Sequence, residues 1–467
     1  DVDRSRGLGD VYKRQTLDSV GGADSFKFSN DAVITADGGI EMKTGGILLT
    51  DTKDLTLAAT DSDITVVSVT GVAGGHGEDF TITDIGTGTA TVGAIGTDIN
   101  DVTIDAETIV IKGDITTEID ADNTNENDSI ALNGKVVIDG GNRTLTTAGG
   151  DGVNFAETLD STAGEYNNLT IDTAGGAVVF TGNIGTASST SKLGTLSVNT
   201  NDETGNITFT GDVGTTSAAG ATILNIGNAD THTLTINGEA YNVAGTSNAQ
   251  TYTADRFVIG DATPEFITDA GNFSMVDGAS AQIVLGAGDD FSVDTGSGGG
   301  AIDIAPRIIG TDGAGDSVIR LDAGSGTLTL DNTTGDLIST DIGNVTLIGS
   351  TITLSNDIVS DTGNIDIDGA VVLKNSGGTI TVSTLTGSGG TIDFNSTINA
   401  TGASTTKENL TIVSGSGTVN VGGIIGGSTA IKDLTISSNT TDTGAVTLTG
   451  IGSAADSVGA ATVAIGS

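Results

Sequence analysis

From Phe26 onward the chain is written in short segments that alternate apolar and polar residues. FKFS begins at Phe26, LTLA at Leu55, ITVVSV at Ile64, FTITDI at Phe80, VTID at Val102 and IVIKGDI at Ile109. The same cadence returns as TLTIN from Thr233, GTLTLD from Gly326, STITLSN from Ser350 and GGTITVSTL from Gly377. A strict period of two in segments rich in Val, Ile and Thr predicts half-buried strands, with one face toward a core and the other toward water. Between the segments lie Gly, Asn, Asp, Ser and Thr, residues that accept left-handed backbone or cap it locally. No stretch carries a helical stripe of useful length. The Ala-rich segments AAGATILNIG and GAATVAIG fall into the strand pattern as well.

The strands recur at fixed intervals. NNLTIDTAGGAVVFTGNIG from Asn167 returns as ENLTIVSGSGTVNVGGIIG from Glu408, with Leu169 and Leu410 as equivalent positions. A shorter period sits inside each copy. Leu169, Leu196 and Ile223 are 27 apart, Leu410 and Leu434 are 24 apart, and GAGD at Gly286 recurs by the longer of these steps at Gly313. Periods of this size mark stacked repeats, in which each unit buries its apolar face against its neighbours. The expected fold is all-β, a right-handed parallel β-helix of roughly 24–29 residues per coil, since β-crossover-β connections strongly prefer that hand. At about 4.8 Å per coil, some 16 coils of about 27 residues would form a rod about 80 Å long. Leu169, Ile171, Leu196 and Val198 should point inward in columns. The alternative, a tandem β-sandwich array, repeats at about 100 residues and normally carries a large aromatic anchor; this chain has no Trp.

Residues 16–467 read as one continuous solenoid, in which the interval 255–310 consists either of ordinary turns with slightly larger core residues or of an irregular stretch whose loops leave the rod. Both prolines, Pro264 and Pro306, fall there with Phe257, Phe266, Phe273 and Phe291. Residues 1–15, DVDRSRGLGDVYKRQ, differ from the rest and hold four of the 17 basic residues. They resemble a tail found on translated metagenomic reading frames, where sequencing adapter has been read as coding sequence, so they are taken as a non-native leader. The other end stops in mid-cadence at GAATVAIGS, and the chain is expected to be an internal fragment.

Composition narrows the function classes. Against 17 basic residues stand 60 acidic ones, a net charge of −43. Such a field repels phosphate backbones and anionic lipid surfaces, which argues against nucleic-acid or membrane-surface binding. There is no cysteine, hence no disulfide and no thiolate chemistry. No apolar run approaches the roughly 18–20 residues of a spanning helix.

Catalytic signatures are missing. The histidines, His76 and His232, lie in different coils with no second His or Cys at ligand spacing. No nucleophile elbow, dinucleotide fingerprint or phosphate loop is present. Carboxylates are everywhere, but a glycosidase also needs a cleft with aromatic platforms. No catalytic residue and no required cofactor are assigned. Calcium is the one candidate ligand. IDADNTNEND places Asp120, Asp122, Thr124, Glu126 and Asp128 at alternate positions, oxygen donors suited to a hard cation, though without the Gly and terminal Glu of an EF-hand. LGAGDDFSVD and DGAGDSVI, carrying Asp289 and Asp316, resemble single copies of the glycine–aspartate nonapeptide of RTX proteins, which place calcium between adjacent turns.

The LTI and GNITFTG cadence from Leu169 and Leu410 resembles the β-strand-repeat, filamentous-haemagglutinin-like surface adhesins of Gram-negative bacteria, over about residues 26–467. That resemblance, one of repeat style, implies an exported β-helical stalk at the cell surface or outside the cell. It implies a role in adhesion or biofilm cohesion against a host or neighbouring cell surface or an extracellular polysaccharide. No functional residue carries over. The alternatives are a calcium-dependent RTX-like or surface-layer protein and, behind it, a polysaccharide-acting β-helix enzyme.

Overall fold

The computed structural model describes residues 15–18 and 25–466, except 51, 73–76, 84, 97, 119–128, 149, 200, 202–203, 261–262, 277–279, 314, 333–334, 385–388, 402–406, 438–443, 453–459 and 461. The chain divides into two compact units, Asp1–Gly211 and Asp212–Ser467. Each is a β-solenoid of parallel strands, and together they hold about 15 turns, with no helix among the described residues. The expected parallel architecture is therefore present. A sandwich array is excluded, because strands there would pair antiparallel.

In the first unit an inward column runs Leu57, Ile82, Ile104, Leu132, Phe155, Phe180 and Phe209, each in register with the next. All seven are at most 1% exposed. Leu169 pairs with Leu196 and Ile171 with Val198, and all four are buried as the alternation requires. Stacking like on like makes the core from side chains one coil apart. The rings of Phe155, Phe180 and Phe209 lie nearly parallel at 5.0 and 4.8 Å. Each such side chain removed from water contributes about 1.5–3 kcal/mol.

In the second unit Tyr241, Phe266, Val293, Leu321, Leu347, Ile367, Phe394 and Val421 form the equivalent column. Coil length varies here: Leu347 stacks on Ile367, a step of 20, whereas Ile380 stacks on Leu410, a step of 30. That spread is a little wider than expected, because the turns vary while the strands do not. The same variation moves one inward position. Ile223, expected a coil above Leu196, is only half-buried; Leu224 and Ile226 fill the core instead. The strands Leu193–Val198 and Ala221–Ile226 share one burial pattern, so Leu224 is the equivalent of Leu196, and a one-residue slip reverses every side chain.

Seven strands occupy residues 255–310, from Arg256–Ile259 to Arg307–Ile309, and all are paired in parallel. Phe257, Phe266, Phe273 and Phe291 are fully buried. Pro264 and Pro306 each stand immediately before a strand, where no ladder donor is required. Their clustering thus records core packing and strand starts.

One use of glycine is steric. In the second unit Gly363, Gly390, Gly417 and Gly444 stack so closely that a Cβ on Gly390, Gly417 or Gly444 would come within 2.2, 1.9 and 1.7 Å of the preceding glycine's carbonyl oxygen. Adjacent turns approach at backbone distance there, which only glycine permits.

Candidate functional site

Polar side chains at the strand starts carry the main chemistry of the first unit. Asp54, Asp79, Asp101 and Ser129 each precede the first inward residue of a strand in successive coils. The N–H of Leu55 donates to the Asp79 carbonyl, that of Phe80 to Asp101 and that of Val102 to Ser129, each at 2.9 Å. The pre-strand N–H groups are left over. Asp54 Oδ1 accepts from the Asp79 N–H and Asp79 Oδ1 from the Asp101 N–H, both at 3.2 Å. Asp101 Oδ1 accepts from the Ser129 N–H at 2.7 Å and from its hydroxyl at 2.9 Å. These donors lie at the exposed or half-buried edge of the coil, and the aspartates complete the ladder there, where the strand hydrogen bonds end.

The pattern recurs with asparagine. Asn142 Oδ1 accepts the Asn168 N–H at 2.9 Å, and Asn168 Oδ1 the Thr195 N–H at 2.7 Å. In the second unit Asn344, Asn364 and Thr391 repeat the chain at 2.9 and 2.8 Å. Stacked carboxylates carry an electrostatic cost. Burial, and then the charges of Asp54 and Asp101, push the Asp79 carboxyl above its usual range against the hydrogen bond from Asn100. Asp366, in register with Asp393, is raised by burial and then by Asp393 and Asp368.

The expected calcium residues are placed only in part. Asp120, Asp122, Glu126 and Asp128 lie outside the described residues, as does His76. Asp289 is buried and Asp316 is exposed. Gly288 of the first GAGD segment lies near Asp316 of the second: a Cβ on Gly288 would stand 3.7 Å from Asp316 Oδ2. Among the described residues no three His, Cys, Asp or Glu side chains gather to hold a metal. His232 is exposed.

Several basic residues are engaged locally: Lys112 with Asp139 at 2.9 Å, Lys135 with Glu107 at 3.1 Å, and Lys374 with Asp331 at 2.6 Å. A shallow groove of about 500 Å³ in the first unit is lined by Asp105, Glu107, Asn133, Lys135 and Glu157 among others. No protein-family model, curated protein or solved structure matches the chain. The reading of function therefore rests on this geometry.

One corner of the first unit escaped sequence reasoning. Tyr166 and Lys192 meet where successive turns stack, with Lys192 Nζ 5.3 Å from the centre of the Tyr166 ring. The signal was present as a spacing of one coil, but neither residue belongs to the repeated strand motif.

Proposed function

We propose that this chain is a structural segment of a large exported bacterial adhesin or biofilm protein, acting as stalk and binding surface outside the cell and carrying no catalysis. The observation that carries this reading is how the polar side chains are used. Pre-strand Asp and Asn side chains are committed to the next coil's backbone, and several Lys residues to ion pairs. A group held in a structural hydrogen bond is poorly placed to move a proton or bind a developing charge. The repeat architecture supports the adhesin style of the sequence, and the net charge of −43 keeps a long repetitive surface soluble.

The test has two arms. Beads coated with the purified chain are scored for attachment to bacterial cells and to extracted biofilm matrix, beside beads coated with an unrelated acidic protein. In parallel the chain is incubated with acidic and neutral polysaccharides and new reducing ends or unsaturated products are measured. Attachment without turnover is expected. Reproducible turnover of any polysaccharide would overturn the reading, and so would attachment no better than that of the control protein.

A further inference from the structure

We infer that the outward ladder of Arg256, Gln282 and Arg307 in the second unit is a binding face for a β-linked polyuronate, an inference that rests on the adhesin reading and names a ligand class for it. The three residues open the strands Arg256–Ile259, Gln282–Leu285 and Arg307–Ile309 and pair in register, one on each of three successive coils. Phe257, Ile283 and Ile308, next along each strand, are fully buried, so alternation turns the arginines and the glutamine outward. Arg256 is exposed, and Gln282 and Arg307 are half-buried.

These arginines are set apart by the partners they lack. The chain has 60 acidic residues against 17 basic ones, and in the same unit Arg320 meets Asp322 and Lys374 meets Asp331, both at 2.6 Å. Among the described residues no carboxylate lies within ion-pair distance of Arg256 or Arg307, and that includes Asp255, the exposed neighbour of Arg256. Arg307 Nη2 donates to the Ser339 hydroxyl at 3.2 Å, while its Nε is covered and has no acceptor. A guanidinium carries five donors in a planar fork that fits a carboxylate. Two such forks left without an anion on so acidic a chain point to carboxylates supplied from outside.

Spacing selects the polymer. Coils stand about 4.8 Å apart, close to the length of one pyranose residue in an extended chain, and the arginines lie two coils apart, at about 10 Å. A β-linked polyuronate turns successive carboxylates to opposite sides. Lying along the ladder, it brings its first and third carboxylates to Arg256 and Arg307, and the hydroxyls of the sugar between them to Gln282, which can donate and accept. Val258, Val284 and Ile309 form the adjacent outward ladder and give the sugar C–H groups an apolar flank. Charge on the remaining surface opposes the approach of a polyanion, but it is largely screened beyond about 8 Å at physiological salt.

The experiment is calorimetric and NMR titration of the whole chain with β-linked uronate disaccharide and tetrasaccharide, beside neutral β-linked glucans of the same lengths. Arg256→Ala and Arg256→Lys are compared with the parent, and light scattering and bead attachment are measured on the same samples. The tetrasaccharide should bind the parent about tenfold more tightly than the disaccharide, which reaches one arginine, and Arg256→Ala about tenfold more weakly than the parent. Arg256→Lys should fall between, because it keeps the charge and loses the fork. Undiminished tetrasaccharide binding in Arg256→Ala overturns the face. So does a disaccharide or a glucan that binds as tightly as the uronate tetrasaccharide. Self-association of the parent that Arg256→Ala abolishes, without uronate binding, assigns the arginines to a second copy and overturns it too. A parent that binds no uronate while its beads still attach to cells overturns the face and leaves the adhesin reading standing; loss of both fails both.

Discussion

The Asp101 carboxylate accepts the backbone N–H of Ser129 at 2.7 Å, one coil further along the chain, and through the same oxygen accepts the Ser129 hydroxyl. A single aspartate thus joins two coils at the point where the strand ladder begins. Its repetition at Asp54 and Asp79 gives the acidity of this chain a structural component.

Replacing Asp101 separates the oxygen from the charge. Asp101→Ala leaves the Ser129 N–H without its acceptor and should cost about 1–3 kcal/mol. Asp101→Asn keeps an acceptor oxygen and removes a charge facing Asp79, so it should melt within a few degrees of the parent. Thermal unfolding followed by circular dichroism decides; equal losses in both variants would show that the ladder bond contributes nothing.

Stability should rise on mild acidification. Asp79, Asp160, Asp357 and Asp366 all have carboxyls raised above 3.8, chiefly by burial. The folded state therefore holds protons that the unfolded chain releases, and lowering the pH from neutrality toward 3.8 favours folding. Asp139 acts oppositely: its hydrogen bond to Lys112 lowers its carboxyl, and that contribution is lost only as the pH falls below 3.8 through the folded value. The melting temperature should peak on the acid side of neutrality. A flat profile, or a maximum on the alkaline side, would contradict the stacked-carboxylate account.

Ile171 sits between Leu145 and Val198 in an inward column. Ile171→Asp buries a carboxylate with no partner and should cost several kcal/mol, whereas Ile171→Val should cost only about 0.5–1.5 kcal/mol. A melting curve for Ile171→Asp that overlays the parent's would place this residue outside the core.

Two neighbouring glycines should respond differently. A Cβ on Gly417 meets the Gly390 carbonyl at 1.9 Å, while the nearest atom to one on Gly389 is the Ser416 hydroxyl at 3.7 Å. Gly417→Ala should lower the melting temperature clearly and Gly389→Ala should not. If the two behave alike, the close approach of the turns is not what glycine serves here.

Much of the fold was legible because a strand writes its burial with a period of two, and like side chains recur wherever one coil stacks on another. Leu169, Ile171, Leu196 and Val198 could be placed inward on that ground alone, and they are buried and in register. In the interval 255–310 the spacing of proline and phenylalanine alone left ordinary turns and loops both open; in the structure the prolines open strands and the rings fill the core. The Asp and Asn residues before strands looked like ordinary turn formers, since nothing in a single segment reveals a hydrogen bond to a backbone group a full coil away.

The sequence by itself determined the strand class, the inward columns and the repeat, because alternation and apolar spacing are local properties that any half-buried strand must display. Register and neighbourhood were decided only in three dimensions. Coils differ in length, with a short one from Leu347 to Ile367 and a long one from Ile380 to Leu410, so counting along the chain does not say which turn lies over which. Stacking settles it through backbone ladders, which set Leu224 rather than Ile223 in the core and bring Lys192 over Tyr166. These pairings depend on the lengths of turns that carry no periodic signal, and so they become visible only once the coils are laid on one another.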